Sequence, residues 1–501
     1  MQRIVDRAGR TSLRSMLPEG RLFGADDVGV TSCVTDARHC RRGDLFVALV
    51  DADGDGHEHV DEAVQRGAAA VLAERYLPTR APLCVVPDTL DAFGRICHRL
   101  AGDPAATMHV TGVTGTHGKT VTTMLIAAVL HAAERRVGVT STIGYSDSVD
   151  LSPASHTTPP PPELARWLTR MAGNGCRHAV VEVSSCALVQ RRLAGLSLDA
   201  AVLTNLRRDH VQHHGSVLNY RRAKTRIFQH LKPGGFAVVN MDDTGSRLAL
   251  SHLECPVITV GMREEAEVTA EVIERQLSEQ TFLLMAGGET VPVRTRMIGD
   301  HHVANCLCAA AVGLVSGLSL TTVARGLESV ERVPGRMDRI ECGQQFGVFV
   351  DCADNADQLA VCLNSLRRTT RGRLYCVLGA DGGRSRDDRA LLGRVIERGA
   401  DLGVITDGYC PSSRPLQTVH EILDGYERPA RAHIIPRRDQ AIRWALDQAA
   451  TGDAVLIAGC SRTSGLDDPQ QRPVCEDTEV ARSWLRESGT RPTPALKVFR
   501  P

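Results

Sequence analysis

Residues 110–124 read VTGVTGTHGKTVTTM, the part of the chain best equipped to handle phosphate. Gly115 and Gly118 free a turn whose backbone N–H groups can wrap phosphate oxygens, Lys119 can reach the terminal oxygens, and the Thr120 hydroxyl suits Mg2+. The strict spacing G-x-x-x-x-G-K-T fails, because its first position is Val113. The match is the shorter G-x-x-G-K-T over Gly115, Thr116, His117, Gly118, Lys119 and Thr120, with Val121 following. An apolar strand expected over 108–113 and an apolar-periodic helix over 124–130 give the turn the strand–loop–helix setting that a nucleotide cradle needs.

Three further polar groupings follow: EVSS at 182–185, TNLRRDHVQHHG at 204–215 and NYRRAKTRIF at 219–228. In an open parallel sheet a ligand lies beyond the carboxyl ends of the strands, so Glu182 and His210 should face phosphates held by Lys119. A carboxylate and an imidazole there suit Mg2+, which ATP needs to give up its γ-phosphoryl group. Alone, three histidines in the five residues 210–214 fit a helix-capping loop better than a metal site; a rim shared with the phosphate turn reverses that balance. Lys224 alone reads as a solvent lysine on an amphipathic helix.

The elements that must position these residues are legible as alternating strands and helices. With 501 residues, 43% of them hydrophobic, the chain exceeds one core and divides into three segments. A small α/β unit has strands at 45–50, 69–73 and 83–86 and helices at 59–66 and 89–101, with Gly56 and His57 read as turn residues and 102–107 as a linker. The middle segment has strands at 108–113, 137–142, 179–183, 200–205, 236–240 and 257–260, a mostly parallel sheet covered on both faces. An antiparallel patch at 268–297 and helices at 302–315 and 321–330 close it. The third segment has strands at 348–351, 373–378, 401–406, 432–435 and 454–458, a doubly wound α/β pattern. Its GADGGRSR has the wrong spacing and strand for a dinucleotide fingerprint.

Charge is balanced at 59 basic and 59 acidic residues, which gives no electrostatic reason to expect nucleic acid or an anionic membrane. No apolar run is long enough to span a bilayer and the start, MQRIVDRAGR, lacks the apolar core of a signal peptide, so a cytoplasmic protein is expected. The sixteen cysteines are scattered without a C-x-x-C pair and read as small buried hydrophobes.

The order of these motifs resembles the Mur ligase family, above all the subgroup that adds the third amino acid to UDP-N-acetylmuramoyl-dipeptide in peptidoglycan synthesis. DARHCRRGDLFVAL with DGHEHVDEAVQRGAAAV is similar to that subgroup's UDP-binding domain, GTHGKT to its ATP loop, and STIGY with HTTP to its muropeptide loop. EVSSCALVQRR, TNLRRDHVQHHG, YRRAKTRIF and VPGRMDR follow in the family's order. The resemblance implies an α/β fold of three domains: a UDP-binding domain at 1–106, a P-loop ATPase-like parallel-sheet domain at 107–333 and a Rossmann-like acceptor domain at 334–501.

It further implies that Gly115, Thr116, His117, Gly118, Lys119, Thr120 and Val121 hold ATP, with Thr120, Glu182 and His210 around Mg2+. Thr157, Thr158, Ser184, Gln190 and Arg192 would hold UDP-N-acetylmuramoyl-peptide. Lys224 would be carbamylated to bridge a second Mg2+, Asn305, Arg336 and Asp351 would serve the nucleotide, and Arg389 would grip a free amino acid. Lys119, His210 and Lys224 are the catalytic candidates, and a monomer is expected.

Departures gather at the acceptor end. Milder ones are His117 for the family's usual Asn, Cys186 for His, and Val211-Gln212-His213 for Leu-Asp-Tyr. DCADNAD at 351–357 replaces D-Y-A-H-T-P-D and puts Asp354 where a histidine is usual. Gly408-Tyr409-Cys410-Pro411 stands for D-N-P-R, and Gly459-Cys460-Ser461-Arg462-Thr463 for G-K-G-H-E. Two other functions compete: an amide ligase acting on a different carboxylate, against which STIGY and HTTP speak, and a silent paralogue serving as sensor or scaffold. Retention of Lys119, Glu182, His210, Lys224 and Arg336 speaks against the second.

Overall fold

The computed structural model describes residues 4–5, 9–51, 54–207, 214–380, 384–407, 415–459 and 477–487. By packing they form two compact units, Met1–Thr123 with Glu134–Ile258, and Met124–Ala133 with Thr259–Arg500.

The first unit holds two main sheets and two short two-stranded ones. In the N-terminal one, parallel strands Ser32–Val34, Asp44–Val47, Ala70–Ala73 and Leu83–Val85 are flanked by antiparallel edges Ile4–Val5 and Arg21–Phe23. The helix Thr89–Leu100 starts where the Asp88 side chain accepts the Asp91 N–H and buries Ala92, Phe93, Ile96, Cys97 and Leu100 on the 3.6-residue period. The expected linker contains a 3-10 turn, Pro104–Thr107, with Pro104 buried. His57, expected in a turn, is buried with its ring on Asp55 and on the Glu74 N–H.

The first seven strands of the eleven-stranded second sheet run in the order Leu151–Ser152, Gly144–Ser146, Val137–Ser141, His178–Glu182, His109–Thr114, Leu198–Leu203, Leu231–Asn240. The last five of these pair in parallel, and their near-continuous apolar runs suit strands buried on both faces. Register decides what gathers at the carboxyl edge. Val113 lies opposite Glu182 and Val202, so the turn after Thr114 emerges between Glu182 on one side and residues 204–207 on the other.

In the second unit, antiparallel strands Val268–Arg275, Gln280–Ala286 and Glu289–Thr295 are joined at one end by the Gly287-Gly288 turn. The helix Lys119–His131 contributes its later turns to this unit. Gly326 lies so close to it that a Cβ there would meet Val129 Cα at 2.5 Å. A six-stranded sheet follows in the order Asp338–Arg339, Gly347–Asp351, Ala454–Ala458, Leu374–Ala380, Leu402–Asp407, Ala432–Ile434, parallel except for its first strand. Helices between its strands bury one hydrophobic cluster against each face, as the doubly wound pattern requires.

Candidate active site

Gly115, at φ 150°, opens the turn at the end of His109–Thr114, and a Cβ there would meet Thr204 Oγ1 at 1.9 Å. Only glycine fits. The residues after Leu198–Leu203 hold the turn in place: Asn205 Oδ1 accepts the His117 N–H (2.9 Å), Asn205 O accepts the Thr116 N–H (2.9 Å), and Thr204 Oγ1 donates to His117 O (2.6 Å). Lys119 begins the following helix and turns its ammonium back over the loop, 3.1 Å from Gly115 O and 3.0 Å from Thr116 O. Thr120 and Val121 are buried in the first turn of that helix.

Glu182 is 1% exposed and its carboxylate is gripped from two sides. Thr120 Oγ1 donates to Oε1 (3.0 Å), Thr142 Oγ1 lies 3.0 Å from the same oxygen, and the Thr142 N–H donates to Oε2 (2.9 Å). Thr140 pairs with Val181, so two residues further Thr142 reaches the end of the neighbouring strand. A hydroxyl that donates to a carboxylate keeps its lone pairs for a cation, and the donors are hard oxygens, so Thr120 and Glu182 fit Mg2+. His210 lies outside the described residues; among those described no group of three His, Cys, Asp or Glu side chains could hold a metal.

Lys224 is not the solvent lysine its helix pattern suggested. It is 1% exposed, on the helix Val217–Thr225, with Nζ 4.9 Å from the centre of the Tyr220 ring. The Tyr220 hydroxyl in turn lies 3.2 Å from Thr116 Oγ1, which brings this helix to the phosphate turn.

The expected muropeptide residues come together beside Glu182. Thr158 Oγ1 donates to Glu182 O (2.8 Å) and accepts the Ser184 N–H (3.0 Å), so this hydroxyl is used within the fold. Arg192 donates to Thr158 O (2.6 Å) and to Gln190 Oε1 (2.9 Å), and its burial pulls its pKa below the ordinary guanidinium value. Thr157 Oγ1 lies 3.2 Å from Thr142 Oγ1. Thr142, Thr204, Asn205 and Tyr220 belong to motifs visible in the sequence, but their individual parts depend on strand register.

In the second unit Asn305 is buried on the helix Asp300–Val315. Asp351 ends its strand 8% exposed, and Oδ2 accepts the N–H of Met337, a residue at φ 47°, from 2.6 Å. Burial raises the Asp351 pKa, opposed by Arg336 and by a hydrogen bond from the Cys362 thiol. Arg389 is buried on the helix Arg386–Gly399 against Glu421, which also accepts from Gln417 (2.9 Å). Asp354, in place of the histidine, pairs with Arg384 at 2.7 Å. Residues 408–411 and 460–463 lie outside the described residues.

Comparison with known proteins gives two family models: the Mur ligase middle domain over residues 113–313, and the Mur ligase glutamate ligase domain over 335–461. The UDP-N-acetylmuramoyl-L-alanyl-D-glutamate–2,6-diaminopimelate ligase of Geobacillus thermodenitrificans is 36% identical over 483 residues, 95% of this chain and 99% of that one. The enzyme of the same name from Coxiella burnetii is 34% identical over 474 residues, 92% of this chain and 96% of its own. Among solved structures, a diaminopimelate ligase of this name matches with TM-score 0.71 at 27% identity, covering 96% of this chain and 99% of its own. A folylpolyglutamate synthase of Mycobacterium tuberculosis, solved with ADP and AMPPCP, shares the fold at TM-score 0.61 and 18% identity, over 80% of this chain and 96% of its own.

Proposed function

Since the chain belongs to the Mur ligase family, we infer that it is an ATP-dependent, ADP-forming ligase that joins an amino acid to UDP-N-acetylmuramoyl-L-alanyl-D-glutamate in peptidoglycan precursor synthesis. The observation that carries this reading is the Glu182 carboxylate. It gathers Thr120 from the phosphate turn and Thr142, which touches the expected donor residue Thr157, around one buried carboxylate.

A carboxylate acylates an amine poorly until ATP converts it to an acyl phosphate; the amine then attacks, and phosphate leaves through a tetrahedral intermediate. The N–H groups around Gly118 cradle the phosphates, and the Lys119 ammonium turns from the loop carbonyls to the transferred oxygens, where charge develops. Thr120 and Glu182, with His210 and a carbamylated Lys224 on the family pattern, would hold Mg2+, which would supply charge neutralisation at those oxygens. Thr157, Ser184, Gln190 and Arg192 orient the donor, with Thr158 bracing them. Asn305, Arg336 and Asp351 serve the nucleotide and Arg389 the acceptor. Residues 1–106 serve as the UDP-binding domain, 107–333 as the ATP domain and 334–501 as the acceptor domain. The protein works in the cytoplasm as a monomer; among the described residues no helix is long and apolar enough to cross a membrane.

Phosphate release from ATP, measured with the UDP-muramoyl-dipeptide against a panel of amino acids including diaminopimelate and lysine, tests this reading. Stimulation by one amino acid is expected. Binding of nucleotide and donor without release for any of them would make the chain a binding paralogue instead. The relatives' name points to diaminopimelate, whereas Pro411 offers no charge where the family's diaminopimelate-adding members use an arginine.

A further inference from the structure

Thr142 sits between groups that serve two different ligands. Its hydroxyl is 3.0 Å from Glu182 Oε1 and 3.2 Å from Thr157 Oγ1, and its own N–H fastens the other Glu182 oxygen at 2.9 Å, so the residue is clamped to the carboxylate at two points. A hydroxyl has one proton and an ionised carboxylate can only accept. The single Thr142 proton therefore has two acceptors in reach, the Glu182 carboxylate and the Thr157 oxygen, and the charged carboxylate has the stronger claim on it. Thr142 is the donor that links the two groups. Each hydrogen bond in such a set polarises the next.

This arrangement sets the sign of the coupling. Positive charge placed on Glu182 weakens its claim on the Thr142 proton and leaves it to Thr157, whose own hydroxyl, polarised by accepting it, donates better to an oxygen of the donor. Donor binding at Thr157 makes that oxygen a better acceptor and draws the Thr142 proton the same way from the other end. We propose that Thr142 is a positioning residue that couples the donor at Thr157 to the metal–nucleotide group at Glu182, so that each ligand tightens the other. The proposal rests on the readings of Thr157 and Glu182 given above.

Equilibrium binding tests it without turnover. In the full chain, Mg2+–ADP and UDP-N-acetylmuramoyl-dipeptide are each titrated alone and against a saturating amount of the other, in wild type, Thr142→Val, Thr142→Ser and Thr157→Val. Wild type should show a mutual tightening of about fivefold or more, equal in both directions as linkage requires. Thr142→Ser should keep that factor and Thr142→Val should reduce it to about twofold or less. A brace that only supports the loop would instead weaken each ligand alone and leave the factor unchanged, and that result overturns the proposal, as does a wild type without coupling. Donor affinity of Thr157→Val separates the two levels. If it equals wild type, the reading of Thr157 fails; if it drops while Thr142→Val retains the full factor, only the coupling fails.

Discussion

Thr120 and Glu182 lie 62 positions apart in the chain, yet the hydroxyl of one meets the carboxylate of the other at 3.0 Å with both side chains buried. The contact joins the helix that follows the phosphate turn to the end of the adjacent parallel strand. It makes the oxygen cluster a property of the sheet edge rather than of any one motif.

Lys119→Ala should abolish phosphate release, by about a thousandfold or more, because the variant loses the ammonium held over the turn that neutralises phosphate charge. The melting temperature should change little, since the lysine's described contacts are loop carbonyls. Wild-type turnover in this variant would show that the turn is not the ATP site.

Lys224 is buried beside the Tyr220 ring, at the position where the family pattern expects a carbamylated lysine. A neutral amine can add CO2 and lose a proton, giving a carbamate anion that binds metal where an ammonium would repel it. Lys224→Ala should lose about a hundredfold or more in kcat and regain part of it with added acetate or propionate. Full activity in the unsupplemented variant counts against the carbamate.

Gly115→Ala should be destabilised by about 2–4 kcal/mol, because the methyl group meets Thr204 Oγ1 and the φ of 150° strains any side chain. Pairing it with Thr204→Ala or Thr204→Gly should recover part of the loss by removing the obstacle. Chemical denaturation of the two variants reads this directly. Equal stability of Gly115→Ala and wild type would contradict the close approach.

His98 is buried in the N-terminal core with no hydrogen-bond partner for either ring nitrogen among the described residues, and burial holds its pKa down at about 4 against an ordinary 6.5. The folded state therefore binds fewer protons than the unfolded one. Its contribution to stability is complete above pH 6.5 and is lost as pH falls towards 4, at most about 3 kcal/mol. His98→Phe should flatten the fall in stability over that window. Because His178 is also held at about 4, mainly by burial, the fall should shrink without vanishing. An unchanged profile in denaturant titrations across pH would show that His98 is not one of the groups responsible.

What could be read from the sequence follows from which forces are local. The strands were legible because apolar runs of five or six residues end in glycine or polar turns, and the phosphate turn because its glycines and lysine are adjacent. The roles of Thr142 and Thr204 were not, since their partners lie 40 and 87 positions away and are brought in by parallel register. For Lys224 the helical pattern alone suggested exposure, because periodicity places a residue on a face without saying what covers that face, and only the resemblance pointed to a site role. Arg389 was singled out only through the resemblance, and its engagement with Glu421, 32 positions on, could not be read from the sequence.

The tie between Asp351 and Met337 acts like a catch. A left-handed conformation at a residue with a side chain costs about 1 kcal/mol or a little more, close to what one charge-assisted hydrogen bond returns. The Asp351 carboxylate thus offsets the cost of the left-handed turn beside Arg336. Drawing Asp351 onto another partner would leave that cost uncompensated at the residue that follows Arg336.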